Sequence, residues 1–219
     1  MSNTSPSARA RFAALDDETR ARWLDPAERE FSEFGFERAS LNRIIADANE
    51  SKGRTYHYFA DKGEMFRATV ERRLARAGTF DLGAEALVRL DRASYWLWIV
   101  DLCRRLTGVL QEDKRLAALL RILHQEAAAQ RAFAEPLAQL RRQVEAVVAA
   151  GQSFGAVRGD LPLDLLADVA ISLIVTVDNW FAMNATDLPE AEEARLSEKA
   201  FSLLMAPLLP PADHGKTET

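Results

Sequence analysis

The chain has 219 residues, 48% hydrophobic and 28% charged, with a net charge of -5. That balance belongs to one or two ordinary folded domains, and it excludes a chain that binds polyanions over its whole surface, so any nucleic-acid contact has to come from a local basic cluster. Cys103 is the only cysteine, so no intrachain disulfide can form and a reduced, cytoplasmic setting is expected.

Residues 1–17 hold Ser, Ala and Pro6 without a sustained period and are expected to be a flexible arm. Arg9 and Arg11 in it are of the type that basic arms place in a minor groove. Trp23, Leu24, Ala27, Phe31 and Phe34 then follow a helical pattern interrupted by Pro26. Two starts are open: Asp25, Pro26 and Glu28 as cap, first position and third position, or a helix from about Glu18 bent at Pro26. Gly35 ends the helix in both cases.

Leu41, Ile44, Ile45 and Ala48 form one face of a short helix capped by Ser40. Asn49 follows, a residue that tolerates the left-handed conformation closing a helix, and Ser51 caps the next segment, KGRTYHYF. Thr55 and Phe59 fall on one side of it, Gly53, Arg54 and His57 on the other with Tyr58 beside them, and Lys52 and Tyr56 on the flanks. Such a face suits the major groove: Arg for guanine edges, His and Tyr for base edges or phosphates, Lys for phosphates, Gly for close approach. Asp61 and Glu64 read as a capping pair for a further helix, with Lys62 in its first turn placed for a DNA phosphate.

The run EFSEFGFERASLNRIIADANESKGRTYHYFADKGEMF resembles the N-terminal domain of TetR-family (tetracycline-repressor-like) transcriptional regulators, with GF-x-x-x-S, S-K-G-x-x-Y-x-Y-F and D-K elements in order. Carried over position by position, the resemblance makes Ser40, Asn42 and Arg43 DNA contacts of the first helix. It makes Lys52, Gly53, Arg54, Tyr56, His57 and Tyr58 the reading helix and Lys62 a phosphate clamp. Two positions depart from the pattern: Asn49 stands where the family usually has Gly, and Glu50 where it usually has a small apolar residue.

Met65, Phe66, Thr69, Val70, Arg73, Leu74 and Ala77 keep helical spacing beyond the motif, and Gly78 with TFDLG marks a boundary near 78 to 84. The remainder reads as helical throughout. A helix over about 86–110 is apolar on two faces and expected to be central. Leu116, Leu119, Leu120, Leu123 and Ala127 define the next, and Leu137 to Val148 another that runs to about Ser153. Residues 163–183 are apolar nearly all round, but Asp164, Asp168 and Asp178 interrupt the run before it reaches the roughly 20 residues of a membrane span. The last helix starts near Asp187 to Pro189. A helix apolar all round is a domain's central helix or half of an interface, and the resemblance implies the second, a four-helix bundle shared by two subunits.

The expectation is an all-α protein: an arm (1–17), a helix-turn-helix domain (18–78), a helical bundle for effector binding and dimerisation (79–206) and a tail (207–219). The resemblance implies a homodimeric regulator of a palindromic DNA operator. Repression relieved by a small apolar or amphipathic effector is what the resemblance implies, and a helical enzyme or interaction module retaining the motif as scaffold is the alternative. Trp96, Trp98, Phe133, Phe154, Trp180 and Phe181 either line an effector pocket or form plain core, with Cys103, His124 and Asp178 as polar candidates. No cofactor or metal is expected, because His57, His124 and His214 are scattered and no nucleophile or phosphate-loop motif is present.

Overall fold

The computed structural model describes residues 7–78, 87, 89–184 and 189–211. Among the described residues there are eleven helices and no strand: α1 (Ala8–Ala13), α2 (Asp17–Arg38), α3 (Leu41–Asp47), α4 (Lys52–Tyr58), α5 (Lys62–Arg76), α6 (Arg92–Glu112), α7 (Lys114–Gln125), α8 (Ala127–Ala132), α9 (Ala134–Ser153), α10 (Leu163–Asn184) and α11 (Glu190–Met205). They sort into two compact units, Met1–Phe80 with Val109–Pro136, and Asp81–Gly108 with Leu137–Thr219. The unit that contains the helix-turn-helix therefore draws on more of the chain than residues 18–78. Most of the expected boundary segment lies outside the described residues.

In the first unit α2 packs against α3, α5, α7 and α8. Trp23, Phe31, Ile44, Phe66, Leu116 and Leu119 are buried there. α2 starts at Asp17, with the Asp16 carboxylate accepting the Thr19 N–H at 2.8 Å, so the longer of the two readings holds, and the backbone stays helical through Pro26. Its only non-helical residue is Gly35, at φ 75°. The buried carboxylate of Glu28 joins three helices, accepting hydrogen bonds from Arg72 at 3.2 Å and Arg115 at 3.0 Å and forming an ion pair with Arg73 Nε at 3.1 Å. A carboxylate so withdrawn from water persists only because cations surround it.

Several expectations need correction. Residues 8–13 are a helix, not a flexible arm: Ser7 caps it, and Phe12 is buried against Trp23, Tyr58 and Phe59. Phe12 is the one large apolar side chain in this segment and the only one buried, so no periodicity marks the helix and composition alone suggested disorder. Glu126 separates α7 from α8, where a continuous helix to Ala127 was expected. α6 begins at Arg92, after Asp91 and Ser94 exchange N–H donors at 2.8 and 3.0 Å, and not near residue 86. The tail is anchored at its start, since the Leu208 carbonyl accepts the Arg158 N–H at 2.9 Å and Leu208 packs on the second unit's core. Residues 212–219 and the expected helix start at 187–188 lie outside the described residues.

The second unit is centred on Tyr95, Leu102, Val147, Val148, Val157 and Leu166. Tyr95 is its anchor: the ring is 2% exposed and the hydroxyl donates to the Val147 carbonyl at 3.1 Å. Among the described residues of α10, Leu166, Ala167 and Ala170 alone are buried. Further along, Ile174, Trp180 and Met183 are exposed, as is Leu203 of α11, the helix that packs on α10. Within one chain this apolar helix is thus not a central helix.

Gly151 faces Tyr95 so closely that an added Cβ would lie 2.4 Å from Val157 Cγ2 and 2.6 Å from Tyr95 Cζ. Gly151→Ala should therefore destabilise the second unit by about 1–3 kcal/mol through overpacking, measured as a lowered urea midpoint with an unchanged slope.

Candidate nucleic-acid interface

Ser40 caps α3, its hydroxyl accepting the Arg43 N–H at 3.4 Å, and α3 ends at Ala48. Asn49 then takes φ 52°, the one left-handed non-glycine among the described residues. Ser51 opens α4 by accepting the Arg54 N–H at 3.1 Å. This is a helix-turn-helix whose second helix has seven residues.

The inward side of α4 is fixed by Thr55 and Phe59, which are buried. Trp23 Nε1 donates to Thr55 Oγ1 at 3.1 Å, and that hydroxyl donates to the Ser51 carbonyl at 3.0 Å. Lys52, Gly53, Arg54, Tyr56 and His57 are exposed together on the other side. Tyr58 is half-buried, its ring set edge-on against Trp23 at 5.3 Å and Phe12 at 6.0 Å, so its ring belongs to the support of the helix. Arg11 donates to the His57 carbonyl at 3.2 Å through Nε and 2.6 Å through Nη2, and Arg9 pairs with Glu71 at 3.0 Å. These two arginines brace the head rather than trailing from an arm.

The cations expected at the interface are engaged to different degrees. Lys52 is exposed and makes no ion pair among the described residues. Arg43 grips Glu30, with Nε 2.9 and 3.1 Å from the two carboxylate oxygens. Arg54 Nη1 lies 3.1 Å from both oxygens of Glu50, and its guanidinium sits 5.3 Å over the Trp23 ring. Lys62 Nζ donates to the Glu37 and Ala39 carbonyls, each at 3.1 Å, and lies 4.8 Å over the Phe36 ring. Its contacts in this structure are therefore to the chain just before α3. Ser40 is half-buried and Asn42 exposed.

Segment 35–40 is held from several sides. Gly35 breaks the helix and frees the next two N–H groups, and Glu126 accepts both, from Phe36 at 3.2 Å and Glu37 at 2.7 Å. A Cβ on Gly35 would lie 2.4 Å from Glu126 Oε1. The Ser40 N–H donates to Glu30 Oε1 at 2.7 Å. Burial pushes the Glu30 carboxyl up, but hydrogen bonds from Arg43 and the Ser40 N–H, with the charges of Arg43 and Lys62, outweigh it and hold the group below the ordinary glutamate range. Sequence reasoning missed Glu30 and Glu126, placed Arg11 in a minor groove and read Trp23 only as part of a helical pattern, where the structure makes both of them supports of α4. A helix break at Gly35 did signal two unsatisfied donors, but their acceptor stands 90 and 89 residues away.

The expected effector residues do not form one group. His124 and Phe133 belong to the first unit, Trp96, Trp98, Cys103, Phe154, Asp178, Trp180 and Phe181 to the second. Tyr95 brings Trp96 and Phe154 together at ring distances of 5.2 and 6.4 Å, and Trp96 Nε1 donates to the Ala156 carbonyl at 3.2 Å. Trp98 packs on the same core. Trp180 and Phe181 meet edge-on at 5.1 Å. Burial, then the charge of Asp178, pushes the Cys103 thiol up to about 11, and burial lowers the pKa of His124. Two clefts of about 320 and 480 Å³ lie in the first unit, one beside Gly35 and Arg121, the other beside Lys62 and Arg131, and none of the nine residues lines either. Among the described residues no cluster of His, Cys, Asp or Glu is fit to hold a metal ion.

A capped α3, a left-handed turn residue and an α4 whose outward side is wholly exposed define a helical protein with an N-terminal helix-turn-helix. Residues 24–69 match the model of the family described as bacterial regulatory proteins, tetR family. Over 87 residues the chain is 33% identical to the HTH-type transcriptional repressor SCO4008 of Streptomyces coelicolor, an alignment spanning 39% of this chain and 43% of that repressor, less than half its length. The fold is similar to that of NalD, the secondary repressor of the MexAB-OprM multidrug efflux pump in Pseudomonas aeruginosa: TM-score 0.65, 19% identity, covering 88% of this chain and 97% of that one. It is also similar to FadR of Bacillus subtilis, solved in complex with stearoyl-CoA: TM-score 0.62, 15% identity, covering 85% and 98%. Residues 24–69 are thus similar to the N-terminal domain of the tetR family of bacterial regulatory proteins, and the structures cited show that the helical fold around them is similar as well.

The depressed Glu30 pKa has a defined consequence for stability. The group binds a proton less readily when folded than when unfolded, so its contribution is complete above the unfolded pKa and is lost as pH falls through the lower, folded value. Thermal unfolding followed from pH 6 to pH 3 should show an acid-side loss that is smaller in Glu30→Gln, whose stability is already reduced at pH 6. For Glu126→Ala, which leaves the Phe36 and Glu37 N–H groups without their acceptor, a loss of about 1–3 kcal/mol is expected in denaturant unfolding.

Proposed function

We propose that the protein is a homodimeric transcriptional regulator that binds a palindromic DNA operator through α3 and α4 and represses by occupying it. The observation that carries this reading is the outward side of α4, where Lys52, Gly53, Arg54, Tyr56 and His57 are exposed together on a helix whose inward side is fixed by Thr55, Phe59 and Trp23. A solvated helix needs no such anchoring, whereas a groove reader must present its side chains at a fixed angle. Lys52 and Tyr56 suit phosphates, Arg54 and His57 base edges, Gly53 close backbone approach, and Ser40 and Asn42 the flanking phosphates. In this reading Arg43 and Lys62 act through α3, whose entry they hold, with any phosphate contact secondary. On this reading the protein works in the cytoplasm, where its DNA would be.

Dimerisation is supported by Leu165, Ile174, Trp180 and Met183 of α10 and Leu203 of α11, large apolar side chains left exposed in one chain. A single half-site binds weakly, and a two-fold pair reaches successive major grooves roughly 34–36 Å apart. A second copy of this chain is the occupant that makes the exposed apolar surface and the short reading helix parts of one device.

An effector would be small and apolar or amphipathic. The stearoyl-CoA bound to FadR and the efflux-pump control exerted by NalD support that class. In this chain Trp96, Trp98 and Phe154 near Tyr95, with Cys103 and Asp178 within electrostatic reach of each other, are the residues of the second unit that would meet it. By linkage, a ligand favouring one conformation of the body lowers DNA affinity by the same factor by which DNA lowers its own.

The deciding experiment is selection of bound sites from a random DNA pool at fixed salt, followed by titration of the selected site. A palindromic site bound far more tightly than random DNA is expected, and equal binding of both would sink the proposal. Met183→Glu combined with Leu203→Glu should shift the sedimentation coefficient to that of a monomer and weaken binding to the full palindrome while leaving the helical circular dichroism intact.

A further inference from the structure

Glu50 stands in the turn between α3 and α4, and its side chain is 7% exposed. Arg54, in the first turn of α4, is the cation it meets: Nη1 is 3.1 Å from each carboxylate oxygen. The guanidinium carbon rests 5.3 Å over the ring of Trp23, which is itself bonded to Thr55 of the same helix. A carboxylate withdrawn from water keeps its charge only beside a cation, so Arg54 is held by a partner that has no alternative. The side chain still reaches solvent, being 46% exposed, and its Nε and Nη2 make no hydrogen bond among the described residues.

We propose that Glu50 is a specificity-determining residue: it buttresses Arg54 so that the unoccupied edge of the guanidinium, carrying Nε and Nη2, reads one guanine in each half-site. The inference rests on the DNA-binding reading above and deepens it. Guanine offers two acceptors, O6 and N7, on its major-groove edge, and a planar fork matches them where an ammonium does not. A free arginine must give up its rotamer freedom when it binds. One already fixed by a carboxylate and an indole ring has lost that freedom in the unbound protein. The pair is also neutral, so it adds nothing to attraction for phosphates and acts on discrimination between bases.

The opposite role of the same contact would be a latch that withholds Arg54 from DNA, and the two are separable with the full-length protein. Sites are selected from a random pool, and affinities for the selected site, for the same site with its guanine replaced, and for random DNA are compared at one salt concentration. The wild type should prefer the guanine site by roughly ten- to hundredfold over the replaced one, and Arg54→Ala should abolish that preference. Glu50→Ala should lose most of the preference while binding random DNA more tightly, because a negative charge has left the interface. Glu50→Gln, which keeps one acceptor oxygen, should fall between, and the Glu50→Ala/Arg54→Ala double variant should discriminate no worse than Arg54→Ala alone. A merely structural role in the turn would instead weaken both kinds of binding together and leave the ratio unchanged, which overturns the proposal. So would tighter and equally selective binding by Glu50→Ala, the mark of a latch. If Glu50→Ala does not fold, the ratio for Glu50→Gln decides. A wild-type protein that selects no site overturns the regulator reading and this inference with it, whereas selection of a site that Arg54→Ala reads equally well overturns this inference alone.

Discussion

A helix of seven residues does not hold its shape in water, because the cost of its first turn is not recovered over so short a run. α4 is such a helix, and its conformation depends on what grips it from behind. Trp23 does most of this. Fully buried, it donates its indole N–H to Thr55 and turns a face toward Tyr58, while Phe12 closes the cluster against Phe59. Arg11 then takes the His57 carbonyl, one of the acceptors a helix leaves unpaired at its C-terminal end. The inward half of α4 is therefore a fixed part of the core, and only its outward half is left for chemistry.

The same logic governs the entry to α3. Gly35 interrupts the helical backbone near the end of α2, which frees donors at Phe36 and Glu37, and the carbonyls of Glu37 and Ala39 follow it. Each set meets an ionic partner: Glu126 takes the donors, Lys62 the carbonyls, and Glu30 the N–H of Ser40. Charged partners give shorter and stronger bonds than neutral ones, so the cap residue of α3 is located by three side chains from three different stretches of the sequence. Glu126 is notable because it sits between α7 and α8. A displacement of that junction would reach Ser40 through a few hydrogen bonds.

Much of this head was legible in the sequence because its signals are local. Ser40, Ser51 and Asp61 cap helices within three residues of themselves, Asn49 closes a turn by its own conformation, and Thr55 with Phe59 mark an inward side by spacing alone. What stayed hidden depended on residues far apart. α1 has one buried side chain, Phe12, and no period to betray it. Arg43 and Lys62 look like DNA contacts on a family pattern, and only their folded partners, Glu30 and two carbonyls, show how much of each is occupied at home. His124 and Phe133 were grouped with the aromatic residues of the body because they follow the motif in sequence, but they fold with the head. Tyr95 gave no signal of its own just before Trp96 and Trp98, although a phenol whose hydroxyl can reach a carbonyl suits a core.

The departures from the family pattern then acquire one physical sense. An apolar residue at position 50 would anchor the turn by burial, and its absence is made good by a charge that Arg54 neutralises. Exchanging burial for an ion pair gains little stability, since desolvation offsets most of the Coulomb attraction. What the exchange does alter is the state of Arg54, which becomes a partly exposed guanidinium of fixed position on a protein of net charge -5. Such a protein cannot rely on general attraction to DNA, and free cations near the groove are few when Arg43, Lys62 and Arg54 are all engaged. Weak attraction for any duplex leaves the difference between one sequence and another to geometry, and geometry is what an ion pair at the root of the reading helix supplies.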